Sequence, residues 1–507
     1  MPHLRCFALL SVLSEFLERS AFAAELLMKS IALKSLLRKG LLAAGILALL
    51  QSSLPAQVPM EPERARLLNG LRVLIWSRPG DQDVFLKLRI HSGAAFDLAG
   101  KGGSMALLGD ILFPDPTTRE YFTEEMQGRL NVTTNHDSLT ITMQGRAREF
   151  ERIVEILRTA LVTPQLTPEN VAKVREGRIK VIKETAISPA MLADRAIAAR
   201  LFGDFPYGRP YGGSVESLER IERPDLMLAR ERFLSPNNAT LIVIGGIQSN
   251  RAMRALRQLL GIWRKSEQVV PATFRQPSAP DARTLIVNSP ADQSVEVRLA
   301  LRGFNRQDAD SPAADLLTVL ARQRWINKLP ELAKSPVYVR HEAFALPGMF
   351  VLGTSVDNLL AGKALASAKE VMQSLASSPV SAAELEQAKN EAIALANKEL
   401  SNADGISGAW LDSDTYGLPS VAERMRALSA ISSSDIQRAA SRLVRDNAFA
   451  SVVVGNADVL KAQIERYGKV ESMGEIVPKT EPRVESRSEL KTNNNVKPQI
   501  KTPPKPE

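Results

Sequence analysis

Residues 72–90 (RVLIWSRPGDQDVFLKLRI) align without a gap on residues 283–301 (RTLIVNSPADQSVEVRLAL), with eight of the 19 positions identical. Each copy reads as a strand, a Pro-bearing turn and an alternating strand. Further on, at an offset of 215, Pro164, Glu169, Glu176, Lys183 and Glu184 match Pro379, Glu384, Glu391, Lys398 and Glu399. Both of those stretches have helical patterning. Asn237–Gly245 and Asn447–Gly455 then read as two buried strands, each ending at Gly. A chain that repeats itself this way must build one α+β unit twice. The expected units span 62–270 and 282–470, joined by a linker at 271–281 that carries Pro271, Pro277 and Pro280. Strands and helices in this order predict a largely antiparallel sheet in each unit, with helices on one face.

The 507 residues are enough for two or three domains with sizeable cores. The formal charge is +9, but the basic residues are scattered and no aromatic-interleaved patch marks a nucleic-acid partner. The single cysteine, Cys6, leaves no disulfide framework, thiolate nucleophile or Cys-based metal site for the remainder. Lys29, Lys34, Arg38 and Lys39 precede the apolar run Leu41–Leu50, and Leu54-Pro-Ala56 offers a small residue for cleavage. This is the pattern of a signal peptide over 1–56, with Met28 as a second candidate start. The run is too short for a membrane span. The expectation is an exported, periplasmic protein with no integral membrane segment in its mature chain. The tail 478–507 has six Pro and no aromatic residue, and is expected to be disordered.

The chemistry is concentrated in one stretch. Gly103-x-x-Ala106-x-x-Gly109-Asp110-x-x-Phe113 follows a glycine turn and reads as an apolar helix. It resembles the zinc helix of the pitrilysin/insulinase metallopeptidases, the family of mitochondrial processing peptidase, written G-x-x-H-x-x-E-H-x-x-F. Two His at i and i+4 grip zinc from one helical face and the Glu is the general base. Here those positions are Ala106, Gly109 and Asp110. Ala106 cannot bind metal, Gly109 cannot take a proton, and one carboxylate is not a zinc site. The four His residues (3, 91, 136 and 341) include no pair at helical ligand spacing.

Other segments support the resemblance. Phe202-Gly-Asp-Phe-Pro-Tyr-Gly-Arg-Pro-Tyr-Gly-Gly213 is similar to the family's F-G-x-H-P-Y-G-R-P-x-x-G, and Pro236–Gly246 to the strand that follows. The resemblance implies two tandem mitochondrial-processing-peptidase-like domains. The family's third zinc ligand is a Glu on a later helix. Glu184 holds that place by pattern, with Glu176 nearby. A remnant site of Asp110, Glu176 and Glu184 is the alternative to two solvated helix carboxylates, and its all-oxygen donors suit a hard cation. Active members also supply an Arg and a Tyr from L-R-E-x-x-G-L-A-Y. The matching segment Leu329–Tyr338 keeps Tyr338 but has Pro330 where Arg is expected, with Arg324 and Arg340 nearby. Gln127–Thr142 resembles the edge strand to which substrate peptides add as an extra strand. That addition uses main-chain groups of Asn131, Val132, Thr133 and Thr134 and needs no particular side chain. His136, without a partner, reads as a surface imidazole, and the pairs Gly102-Gly103 and Gly212-Gly213 lack phosphate-loop context.

The expected function is that of a non-catalytic homologue with no zinc of its own. It would form half of a peptide-enclosing clamshell with a zinc-bearing homologous subunit or a second copy of itself. The alternatives are a divergent zinc metalloendopeptidase using Asp110 and Glu184, and a stand-alone periplasmic peptide-binding protein.

Overall fold

The computed structural model describes residues 61–185, 188–267, 274–275, 277–289, 294–445 and 447–473. The signal-peptide segment 1–56, the tail 478–507 and part of the linker lie outside the described residues. The first half runs β1 (Glu63–Arg66), β2 (Arg72–Ser77), β3 (Asp83–Ile90), α1 (Ser104–Ile111), α2 (Pro116–Glu124), β4 (Arg129–Thr134), β5 (Leu139–Arg146), α3 (Phe150–Val162), α4 (Pro168–Glu184), α5 (Pro189–Phe202), α6 (Val215–Glu219), α7 (Arg223–Phe233), β6 (Ala239–Gly245) and α8 (Ser249–Leu260). The second runs β7 (Thr284–Asn288), β8 (Ser294–Arg302), α9 (Ser311–Lys328), β9 (Val337–Glu342), β10 (Met349–Asp357), α10 (Ala361–Ser377), α11 (Ala382–Leu400), α12 (Ala403–Tyr416), α13 (Val421–Ala430), α14 (Ser433–Arg445), β11 (Ala450–Gly455), α15 (Ala457–Ile464) and β12 (Val470–Met473).

The described residues form two six-stranded sheets, ordered β1-β2-β6-β3-β5-β4 and β12-β7-β11-β8-β10-β9. Each is mostly antiparallel. In the first only β2 and β6 run parallel, and the central strand β6 is buried at every residue. The aligned repeat 72–90 and 283–301 becomes β2–β3 and β7–β8, so sequence identity has become structural equivalence.

One face of the first sheet packs on its own helices through Leu86, Leu88, Ile141, Met143, Leu107, Leu157 and Leu256. The other face is covered by a helix from the opposite half. Ile406, Trp410 and Leu411 of α12 pack on Leu74, Phe85, Ile242 and Ile244 of the first sheet. Reciprocally, Ala193, Ala196, Ile197 and Leu201 of α5 pack on Leu285, Ala300, Val351 and Val452 of the second. Both exchanged helices carry their own start signals. The Ser188 hydroxyl accepts from the Met191 N–H ahead of Pro189, and the Asn402 side chain accepts from the Gly405 N–H. Gly417, with φ +63°, ends α12 in the left-handed region.

Equivalent strand cations pin both helices. Lys87 reaches Asp404 on α12 at 2.8 Å, and Arg298, at the matching repeat position, reaches Asp194 on α5 at 2.7 Å. Each sheet thus has its own helices on one face, as the repeat predicts, and a borrowed helix on the other. Among the described residues no helix is long and apolar enough to cross a membrane.

Candidate functional site

The glycine turn and α1 are held from two sides. The Asp97 carboxylate accepts from the Gly103 N–H at 2.6 Å and the Met105 N–H at 2.9 Å, satisfying donors of the first helical turn. Burial pushes its carboxyl up to about 7, against the pull of those bonds. Gly103 sits at φ +92°, and a Cβ there would stand 2.8 Å from the Gly212 carbonyl oxygen. A Cβ on Gly213 would stand 2.5 Å from that of Gly102. The two Gly-Gly pairs, unassigned from sequence, therefore pack backbone to backbone. They tie the start of α1 to the segment 202–213.

The positions that would carry zinc chemistry are closed. Asp110 takes the Arg178 Nε at 2.8 Å and Nη2 at 2.7 Å, and the same Nη2 lies 3.4 Å from the Ala106 carbonyl oxygen. One guanidinium from α4 thus meets the side chain at one position where a His ligand would stand and the main chain at the other. Burial raises the Asp110 carboxyl, opposed by Arg178. Gly109 faces β4 and β5. A Cβ there would lie 2.9 Å from Val132 Cγ1 and 3.1 Å from Leu139 Cδ1, so a general-base Glu has no room unless both side chains shift.

The remnant site of Asp110, Glu176 and Glu184 does not form. Glu176 and Glu184 are two and six residues from Arg178 on α4. At about 100° per residue, neither shares the face that Arg178 turns to Asp110. Both are exposed and line a shallow groove with Lys180, Lys183 and Glu219, where Glu184 lies 3.8 Å from Lys180. Among the described residues no group of three or more His, Cys, Asp or Glu could hold a metal ion. The donor set does not fit zinc.

Tyr338 survives in another setting. Its hydroxyl donates to Asp194 at 2.9 Å, and Arg298 and Arg340 lie over its ring at 5.1 and 4.4 Å. It belongs to the seam that pins α5. Arg324, a candidate substitute for the missing Arg, is held by Glu384 at 2.5 Å, and Arg340 by Asp194 at 3.3 Å.

β4 is the outer strand of the first sheet, paired antiparallel with β5 through Asn131↔Thr142 and Thr133↔Thr140. The Asn135 N–H donates to the Ser138 carbonyl at 2.9 Å, which sets the alternation along the ladder. Asn131 and Thr133 therefore turn their main-chain groups to β5, whereas Leu130, Val132 and Thr134 turn theirs outward. The Leu130 carbonyl already accepts from Arg119 at 3.4 Å. Val132 and Thr134 are left as the open part of the edge, half of the four residues that the motif singled out.

The hairpin after β4 is anchored at the junction of the halves. Asp137 is buried and accepts from the Tyr207 and Tyr416 hydroxyls, each at 2.9 Å, and from the Ala345 N–H at 2.7 Å. Burial raises its carboxyl against those bonds. His136 is not a surface imidazole. Its ring packs against Tyr207 at 5.0 Å, Phe344 at 5.3 Å and Tyr211 at 5.9 Å, and burial lowers its pKa to about 4. Sequence reasoning missed this environment because its aromatic partners lie 71 to 208 residues further along the chain.

Residues 220–392 match the family model described as the peptidase M16 inactive domain. The chain is similar to an uncharacterized zinc protease of Mycobacterium bovis, 24% identical over 261 residues covering 49% of this chain and 59% of the relative. It thus spans little more than half the length of that relative. Among solved structures it is similar to a peptidase M16 inactive domain from Pseudomonas fluorescens, with TM-score 0.70 and 17% identity over 78% of this chain and 98% of that one. It is also similar to the periplasmic protease PqqL from Escherichia coli, with TM-score 0.65 and 15% identity over 82% of this chain and 51% of that one. The chain is a pitrilysin/insulinase (M16) homologue in which the zinc motif is degenerate.

Proposed function

We propose that this chain is a non-catalytic, exported M16 subunit that forms one half of a peptide-enclosing chamber with a zinc-bearing homologue. The observation that carries this reading is the Arg178–Asp110 pair: a fixed organic cation stands on a preserved scaffold where the family would hold its metal. Chemistry that needs His, Glu and zinc together cannot be run from Ala106, Gly109 and Asp110. Strand addition needs only main-chain donors and acceptors, and Val132 and Thr134 still offer them. The coverage of PqqL supports the half-chamber reading, because this two-domain chain matches about half of that longer protein. The signal-peptide pattern over 1–56 supports export.

The test is affinity capture of the tagged chain from the periplasm, with mass spectrometry of what co-elutes. A near-stoichiometric homologue carrying H-x-x-E-H is the expected result. Recovery of this chain alone, as a stable monomer under mild extraction, contradicts it.

A further inference from the structure

A crevice of about 1610 Å³ lies between α4, α5 and the segment 202–220. It exceeds the roughly 300–1,000 Å³ of sites built for small ligands. Its walls carry arginines with guanidinium N–H groups that no carboxylate occupies among the described residues. Arg195 on α5 and Arg220 after α6 are exposed and have no carboxylate partner among the described residues. Arg209 donates only to the Asp204 carbonyl oxygen, at 2.9 Å, and lies within electrostatic reach of the buried Asp97. Arg178 spends Nε and Nη2 on Asp110 and Ala106. Its Nη1 has no partner among the described residues and stands 3.3 Å from where a Cβ on Gly212 would be.

The acids of the same walls are largely committed. Asp194 is held by Arg298, Arg340 and Tyr338, and Asp281 by Arg283 and Arg200. Asp204 and Glu216 are the exposed exceptions. Between the arginines, Tyr211 presents an exposed ring.

We propose that this crevice binds an acidic peptide segment. Guanidinium forks match carboxylates in plane and can pair with them bidentately. Here they sit on three separate elements, so the ligand must carry several carboxylates along an extended chain, with Tyr211 available to its backbone. Arg178, its charge balanced by Asp110, adds only the free Nη1 as a hydrogen-bond donor. The site does not use the β4 edge and needs no partner chain.

The test is fluorescence anisotropy of the full chain with labelled octaglutamate and octaglutamine. Octaglutamate is expected to bind at least about tenfold more tightly at low salt and to be released as salt rises. The variant R195Q/R209Q/R220Q is expected to lose that preference. The control R148Q/R254Q/R257Q, which removes as many arginines elsewhere, and Thr134→Pro on the edge strand are expected to keep it. Equal binding of the two peptides, no binding of octaglutamate, or equal loss in the two triple variants would overturn the proposal. Loss in Thr134→Pro alone would overturn it too, by placing the peptide on β4 instead.

Discussion

The α1–α4 contact and the β4 edge meet adjacent faces of α1, and they have fared differently. On one side the function depended on three side chains, and their positions now hold a methyl group, a hydrogen and a carboxylate tied to Arg178. On the other side the proposed strand addition depends on backbone, and among the described residues Val132 and Thr134 still present an unpaired edge. Packing couples the two, because the missing side chain at Gly109 lets α1 lie close against Val132. The difference teaches that catalysis written in side chains is erased by a few substitutions, whereas recognition written in main-chain hydrogen bonds outlasts them as long as the sheet folds.

The comparison breaks most severely if the motif can simply be restored. Ala106→His/Gly109→Glu/Asp110→His overpacks the α1–β4 contact and strips Arg178 of its acid, so a loss of about 4 kcal/mol is expected. Urea unfolding measures it, and the variant is expected not to retain stoichiometric zinc. Arg178→Ala alone leaves Asp110 without its cation in a largely buried site and should lower stability by about 2–3 kcal/mol.

Acid probes the edge side. Burial lowers His136 to about 4, and burial with Arg72 and Arg89 nearby lowers His91 to about 3. Both stay neutral in the folded chain while the unfolded chain takes up protons below about pH 6.5, so stability is lost as pH falls from there towards 4. At about pH 5 each His contributes a loss on the order of 2 kcal/mol, opposed by the raised Asp97 carboxyl. It is therefore read as the change in the Tm difference between about pH 7 and pH 5 from the parent chain to the His136→Gln or His91→Gln variant. The smallest effect on stability, below about 1 kcal/mol, is expected for Thr134→Pro, which removes an outward N–H and no ladder bond. The same variant should abolish strand addition of an extended peptide, measured by calorimetric titration. Thr133→Pro, whose N–H faces β5, should instead destabilise the sheet.

Much of this was legible in the sequence. The repeat at 72–90 and 283–301 announced two equivalent sheets, and Ala106, Gly109 and Asp110 announced lost chemistry inside a kept frame. What stayed hidden was long-range. Nothing local says that α5 covers the second sheet or that α12 covers the first, because an apolar helical stripe fits either face. The partner of Asp110 lies 68 residues away on α4, where Arg178 looks like any other basic residue on a polar helix. Glu184 has the right letter at nearly the right spacing, but helical phase turns it to solvent. The Gly102-Gly103 and Gly212-Gly213 pairs make sense only once each is seen as the other's packing surface.

The most direct test is the metal content of the purified chain, together with cleavage of a quenched peptide with and without a chelator. The account predicts far less than one zinc per chain and no chelator-sensitive turnover. Stoichiometric zinc with turnover that a chelator abolishes would contradict it.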